Sequence, residues 1–207
     1  MPDLELENAL RRAGRVRVAG IDEAGRGPLA GPVAAAAVVL PEGYSLEWLD
    51  DSKKLTAARR EKVFEALMED PEVEWSLAYA EVEEIEERNI LGATHAAMAR
   101  AAEALQPVVD HCLIDGLAVP RFPLSSEGVV KGDGISLSIA AASVIAKVSR
   151  DRRMLGYAEE FPEYGFEKHK GYGTKVHLAA LEAHGPCRIH RLSFQPVAQC
   201  ADRAAGA

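Results

Sequence analysis

The chain has 207 residues, 48% of them hydrophobic, and a formal charge of −8, which is enough material to bury a full core in a single domain spanning 1–207. No run approaches the roughly 20 apolar residues of a membrane span, and Met1-Pro2-Asp3-Leu4-Glu5 lacks the basic start and apolar run of a signal peptide, so a cytoplasmic protein with no membrane partner is expected. Cys112, Cys187 and Cys200 are odd in number and widely spaced, which argues against a disulfide framework or a zinc site and for reduced thiols, with Cys112 buried.

Residues 1–14 read as a polar N-terminal extension. From Arg15 to Ile21 polar and apolar residues alternate, the pattern of a strand, which is expected to stop at Asp22. Gly25, Gly27, Pro28, Gly31 and Pro32 make a tight turn into a second apolar strand, Val33 to Leu40, and the two should pair as a hairpin. Ser52 or Thr56 can cap a helix that runs to about Met68, with Pro71 beyond its end. Trp75, Leu77 and Tyr79 recur at period two and predict a third strand. Helical text follows from Val82 to Leu105, with a boundary near Asn89.

The run His111-Cys112-Leu113-Ile114 predicts a strand that delivers Asp115 at its C-terminal end. After Lys131-Gly132-Asp133-Gly134, a long helix is expected from Ile135 to Arg153. Its beginning is apolar and small-residued, and its basic end, with Lys147, Arg150, Arg152 and Arg153, suits a helix C-terminus. A last helix should cover Lys175 to His184, closed by Gly185-Pro186, and the Ala-rich residues from 200 to 207 should form a mobile tail. The whole is an α/β domain: a central mixed sheet of about five strands flanked by helices, with a C-terminal helical segment. The alanine runs Ala34 to Ala37 and Ala140 to Ala142 read as close-packing surfaces.

Asp22, Glu23, Asp115 and Asp133 each stand at the end of an apolar run, beside glycine or near it, where the core can hold them while substrate reaches them. Any one alone is an ordinary turn residue. If they converge, two carboxylates about 4 Å apart repel by roughly 4 kcal/mol at an effective dielectric near 20, so the set must bind protons or cations. An all-oxygen ligand set favours a hard cation, magnesium or manganese, and hence phosphate chemistry.

The run Val18-Ala19-Gly20-Ile21-Asp22-Glu23-Ala24-Gly25-Arg26-Gly27-Pro28-Leu29-Ala30-Gly31-Pro32-Val33 resembles the N-terminal signature of ribonuclease HII. Further runs resemble the same family in its order: Asp51-Ser52-Lys53-Lys54-Leu55, Leu113-Ile114-Asp115-Gly116, Val130-Lys131-Gly132-Asp133 with Ser143 to Asp151, and His169-Lys170-Gly171-Tyr172-Gly173-Thr174. One departure is the lack of a proline between Gly134 and Ser138. The resemblance implies a ribonuclease H-like fold, with Asp22, Glu23, Asp115 and Asp133 as metal-binding catalytic carboxylates and Mn²⁺ or Mg²⁺ as cofactor. It also implies an endonuclease that cuts the RNA strand of RNA–DNA hybrids and the 5′ side of ribonucleotides embedded in duplex DNA. The products would carry 3′-hydroxyl and 5′-phosphate ends, and the enzyme is expected to be a monomer.

By the same resemblance, Gly25, Arg26 and Gly27 form the turn that reads the 2′-hydroxyl, the group that marks a ribonucleotide in DNA, and Tyr172 packs on the sugar at the junction. Lys53, Lys54 and Lys147 are candidates for phosphate contacts. The net charge does not oppose this, because its acidity is regional: residues 42–87 hold 15 acidic and 5 basic residues, whereas residues 145–191 hold nine Lys or Arg and six acids. His169, His177, His184 and His190 lack zinc spacing and read as structural or phosphate-facing. The alternatives are a ribonuclease HIII-like nuclease, for which the stretch before the first strand is short, a non-catalytic hybrid-binding module, and a resolvase-like transferase. The retained acids weigh against the second, and the Gly-Arg-Gly turn and Tyr172 weigh against the third.

Overall fold

In the computed structural model, which describes the backbone of residues 1–205, the chain opens with helix α1 (Glu5–Arg12). It then forms strands β1 (Val18–Ala24) and β2 (Val33–Val39), helix α2 (Ala57–Glu69), strand β3 (Glu74–Ala80), helix α3 (Val82–Ala104) and strands β4 (His111–Asp115) and β5 (Ser126–Val129). Helices α4 (Leu137–Glu160), α5 (Phe166–His169), α6 (Lys175–His184) and α7 (Gln195–Ala205) complete it. The sheet order is β3-β2-β1-β4-β5, with β1 antiparallel to β2 and parallel to β4, so the expected mixed five-stranded sheet and hairpin are both present.

Period-two alternation divides the sheet into two faces. Ile21, Ala35, Ala37 and Ile114 face α3, together with Ala93, Ala97 and Met98. Val18, Leu113 and Ile139 pack on the α4 side, where Ala36 and Val38 meet Ala140 to Ala142. Residues 34–37 and 140–142 are fully buried, the close-packing role their alanines suggest. At Gly20 the helix comes so near that a Cβ would stand 2.2 Å from the Ile139 backbone nitrogen.

Several expectations need correction. Strand β1 runs on through Asp22 and Glu23 to Ala24, because both residues pair with alanines of β2. The N-terminal extension contains α1, whose buried Glu7 accepts hydrogen bonds from the hydroxyls of Ser136 and Ser138 at the start of α4. Ser136 caps α4 in the stretch that lacks proline. The long helix extends to Glu160, so Lys147, Arg150, Arg152 and Arg153 lie in its middle and not at its end. Thr56, and not Ser52, caps α2, while Ser52 is buried against Ser143. Cys200 through Ala205, expected as part of the tail, continue helix α7, and residues 206–207 of that tail lie outside the described residues. Asn89 has a positive φ of 60° within α3, the boundary expected there.

Candidate active site

Strands β1 and β4 are parallel with Ile21 opposite Ile114, so one residue further along each chain brings Asp22 and Asp115 to the same level on adjacent strands. Both side chains face α4 by alternation. Asp133 reaches the same point from a 3-10 turn, Gly132–Gly134, that bridges β5 and α4. Asp115 Oδ1 accepts hydrogen bonds from the Gly132 and Asp133 amides, at 2.7 and 3.4 Å, which ties that turn to the sheet. Ligand oxygens of Asp22, Asp115 and Asp133 lie within 4.8 Å of one another.

Glu23 is not in this trio. Alternation turns it to the α3 face, where Oε1 meets Arg26 Nη1 at 3.3 Å and Glu23 borders a cleft of 440 Å³ lined also by Arg26, Asp115, Leu91, Met98 and Pro120. Its charge still acts on the trio. Burial, then the charges of Glu23 and Asp115, push the Asp22 carboxyl well above the usual carboxylate range. Asp115 is raised by burial and by Asp133, and Glu23 by burial against the opposing pull of Arg26. Such crowded acids call for positive charge. A set of carboxylate oxygens with depressed acidity, and without sulfur or imidazole, fits a hard divalent cation.

Lys53 supplies one cation already: its Nζ lies 2.8 Å from Asp133 Oδ2. Burial pulls this ammonium down, but the hydrogen bond to Asp133 and the charges of Asp22 and Asp133 prevail and hold it above its ordinary range. Lys54 pairs instead with Asp50 at 3.0 Å, and Lys147 with Asp151 at 2.8 Å. Lys147 also stands 6.0 Å over the ring of Tyr172, which is 45% exposed.

The turn after β1 lies against Tyr172, since a Cβ added to Gly27 would be 3.6 Å from Tyr172 Cε1, an ordinary contact. Gly25 is different. Its φ is 105°, and a Cβ there would fall 2.1 Å from Arg150 Nε. The turn is fixed from below by two buried arginines whose roles the sequence reading did not anticipate. Arg150 donates to the carbonyls of Pro32, Ala30 and Lys170, joining the turn to the Tyr172 segment. Arg191 donates to those of Gly25, Arg26, Pro28 and Gly31. An arginine between Ile189-His190 and Leu192 gives no sequence signal that separates it from a surface cation.

Of the four histidines, His184 is exposed and the other three form a buried group. His177 Nδ1 is 2.9 Å from the Tyr172 carbonyl and its Nε2 is 3.0 Å from His190 Nε2. His190 Nδ1 takes the Cys187 amide, and His169 stacks on His177 at 4.5 Å.

The sequence model of the family described as ribonuclease HII matches residues 19–197 of this chain. The chain belongs to the ribonuclease HII family. The ribonuclease HII of Rhodospirillum rubrum is 53% identical over 209 residues, covering 99% of this chain and 94% of the relative. That of Chlamydia trachomatis serovar A is 53% identical over 191 residues, covering 92% and 88% respectively. Among solved structures, the ribonuclease H2 of Pyrococcus horikoshii OT3 shares the fold with a TM-score of 0.76 at 24% identity, covering 93% of this chain and 100% of that one. Membership of the ribonuclease HII family favours a hydrolytic endonuclease over the ribonuclease HIII-like, resolvase-like and binding-only alternatives.

Proposed function

We propose that this chain hydrolyses the RNA strand of RNA–DNA hybrids and cuts on the 5′ side of ribonucleotides embedded in duplex DNA, leaving 3′-hydroxyl and 5′-phosphate ends. The observation that carries this reading is the convergence of Asp22, Asp115 and Asp133 within 4.8 Å, beside a glycine turn that faces Tyr172. The three acids would hold Mg²⁺ or Mn²⁺, with Glu23 adding its carboxylate from the neighbouring face. When bound, such ions would supply charge stabilisation to the attacking and leaving oxygens of an in-line phosphoryl displacement. Water forms the new bond to phosphorus, and the bond from phosphorus to the 3′-oxygen of the upstream nucleotide breaks.

The chain's own side chains do the rest. Lys53 neutralises Asp133 in the free protein and lies within reach of a substrate phosphate once cations take over that task. Lys54 and Lys147 neutralise the flanking backbone without reading sequence. The Gly25-Arg26-Gly27 turn approaches the ribose closely enough to sense its 2′-hydroxyl, and the exposed Tyr172 ring packs on the adjoining sugar. The protein acts as a monomeric single domain in the cytoplasm.

The reading is tested with DNA duplexes that contain zero, one or several ribonucleotides, incubated with Mg²⁺, Mn²⁺ or EDTA. Cleavage confined to ribonucleotide-containing duplexes and abolished by EDTA is expected. Cutting of the all-deoxy duplex would remove the proposal.

A further inference from the structure

Arg191 carries a charge that no part of the chemistry above uses. It is fully buried, and the Phe194 ring lies 5.1 Å from its guanidinium carbon. A guanidinium has five N–H donors, and here all five are engaged. Nε donates to the Gly31 carbonyl at 3.0 Å, Nη1 to Arg26 and Pro28 at 2.9 and 2.7 Å, and Nη2 to Gly25 and Gly31 at 2.6 and 2.8 Å. Every acceptor is a backbone carbonyl of one turn. Burial and the nearby Arg150 charge lower the pKa of Arg191 to about 9, which still leaves it cationic at neutral pH.

The consequence lies on the other side of each peptide plane. In a trans peptide the carbonyl of one residue and the amide N–H of the next point in opposite directions. Drawing the Gly25 and Arg26 carbonyls inward onto Arg191 therefore directs the Arg26 and Gly27 amides outward, on the stretch of turn that lies against Tyr172. Those two amides are donors fixed before substrate arrives. A hydroxyl oxygen can accept from them, and a deoxyribose offers nothing in its place. Lysine, with three donors and no planar fork, cannot hold four carbonyls at once.

We propose that Arg191 is a positioning residue for ribonucleotide selectivity, acting through the turn it organises and without touching substrate. The inference rests on the proposed reading of the 2′-hydroxyl by the Gly25-Arg26-Gly27 turn. Its test compares affinities for a DNA duplex with one ribonucleotide and for the same duplex all-deoxy, measured on the full chain with Ca²⁺ in place of the activating ion. The ratio of the two reports selectivity, and melting temperature reports folding.

Gly27→Ala, Arg191→Lys and Phe194→Leu are compared with the unaltered chain. Gly27→Ala introduces only an ordinary contact with Tyr172, so it probes the turn with the brace intact. Both Gly27→Ala and Arg191→Lys are expected to lower the ratio about tenfold. Phe194→Leu, which removes the ring packed on the guanidinium and so loosens it without removing it, should lower the ratio about threefold. If Gly27→Ala leaves the ratio unchanged, the reading of the turn falls and the inference with it. If Gly27→Ala lowers it and a folded Arg191→Lys does not, Arg191 alone is overturned. Should Arg191→Lys fail to fold, an unchanged ratio in Phe194→Leu overturns the inference.

Discussion

Asp22 is a residue held against its own electrostatics. It is buried, and its carboxyl is raised by that burial and by Glu23 and Asp115, so without cations its charge weakens the fold. Asp22→Asn keeps the shape and removes the charge. It should reduce cleavage by about a thousandfold or more, because on the proposed reading this carboxylate would hold metal, yet raise the melting temperature of the metal-free protein by about 2–4 °C for each kcal/mol of repulsion relieved. A calorimetric scan in EDTA checks the second part, and a lower melting temperature would contradict it. At this scale the sequence was informative: Asp22, Asp115 and Asp133 end apolar runs beside glycines and they do meet. Glu23 was legible as an acid of the region but not as one facing the opposite side, because its direction follows from β1 continuing beyond Asp22.

At the scale of elements, Asp133 sits on the turn that leads into α4, so the separation of β1 from α4 bears on its distance from Asp22. Gly20 is what permits that separation, since its missing side chain leaves room for the backbone of Ser138 and Ile139. Gly20→Ala should force strand and helix apart at a cost of about 1–3 kcal/mol and reduce activity with all four acids intact. A drop in melting temperature together with slower cleavage is expected, and normal values for both would show that the layers slide freely. The strands and helices with clear periodicity were readable, including Lys175 to His184 to the residue. Helix α1 was not read, although Leu6 and Leu10 sit at helical spacing and pack on the core, because eight residues are a short pattern and the contact of Glu7 with Ser136 and Ser138, 129 residues or more away, leaves no local signal. The extension of α4 past Arg153 was missed because basic side chains suit a helix end and an exposed middle equally well.

Across the whole molecule, pH and salt act on different parts. His190 is held at about 4 by burial and by His177, against about 6.5 for a free imidazole, with Cys187, His169 and Tyr164 as its other titratable neighbours. Between those two values the unfolded chain binds a proton that the folded chain refuses. The contribution of His190 to stability is therefore complete above about pH 6.5 and is lost as the pH falls towards 4, by about 3 kcal/mol. His190→Gln should flatten that part of the stability profile, as denaturant melts at successive pH values would report. Salt acts on substrate binding. With Lys53, Lys54 and Lys147 on phosphates, the logarithm of the affinity for a hybrid should fall against the logarithm of salt concentration with a slope near −3, and a slope near zero would remove the lysines from the interface.

The link from Arg191 back to Gly25 joins segments 166 residues apart. All the acids of the site are synthesised by residue 133, and the helix that seats the last of them by residue 160. A nascent chain at that stage holds all four acids and Arg150, while its turn between β1 and β2 still lacks Arg191, the second guanidinium beneath it. On the proposed reading, the acids that cleave and the Arg191 contacts that brace discrimination are thus made at different times.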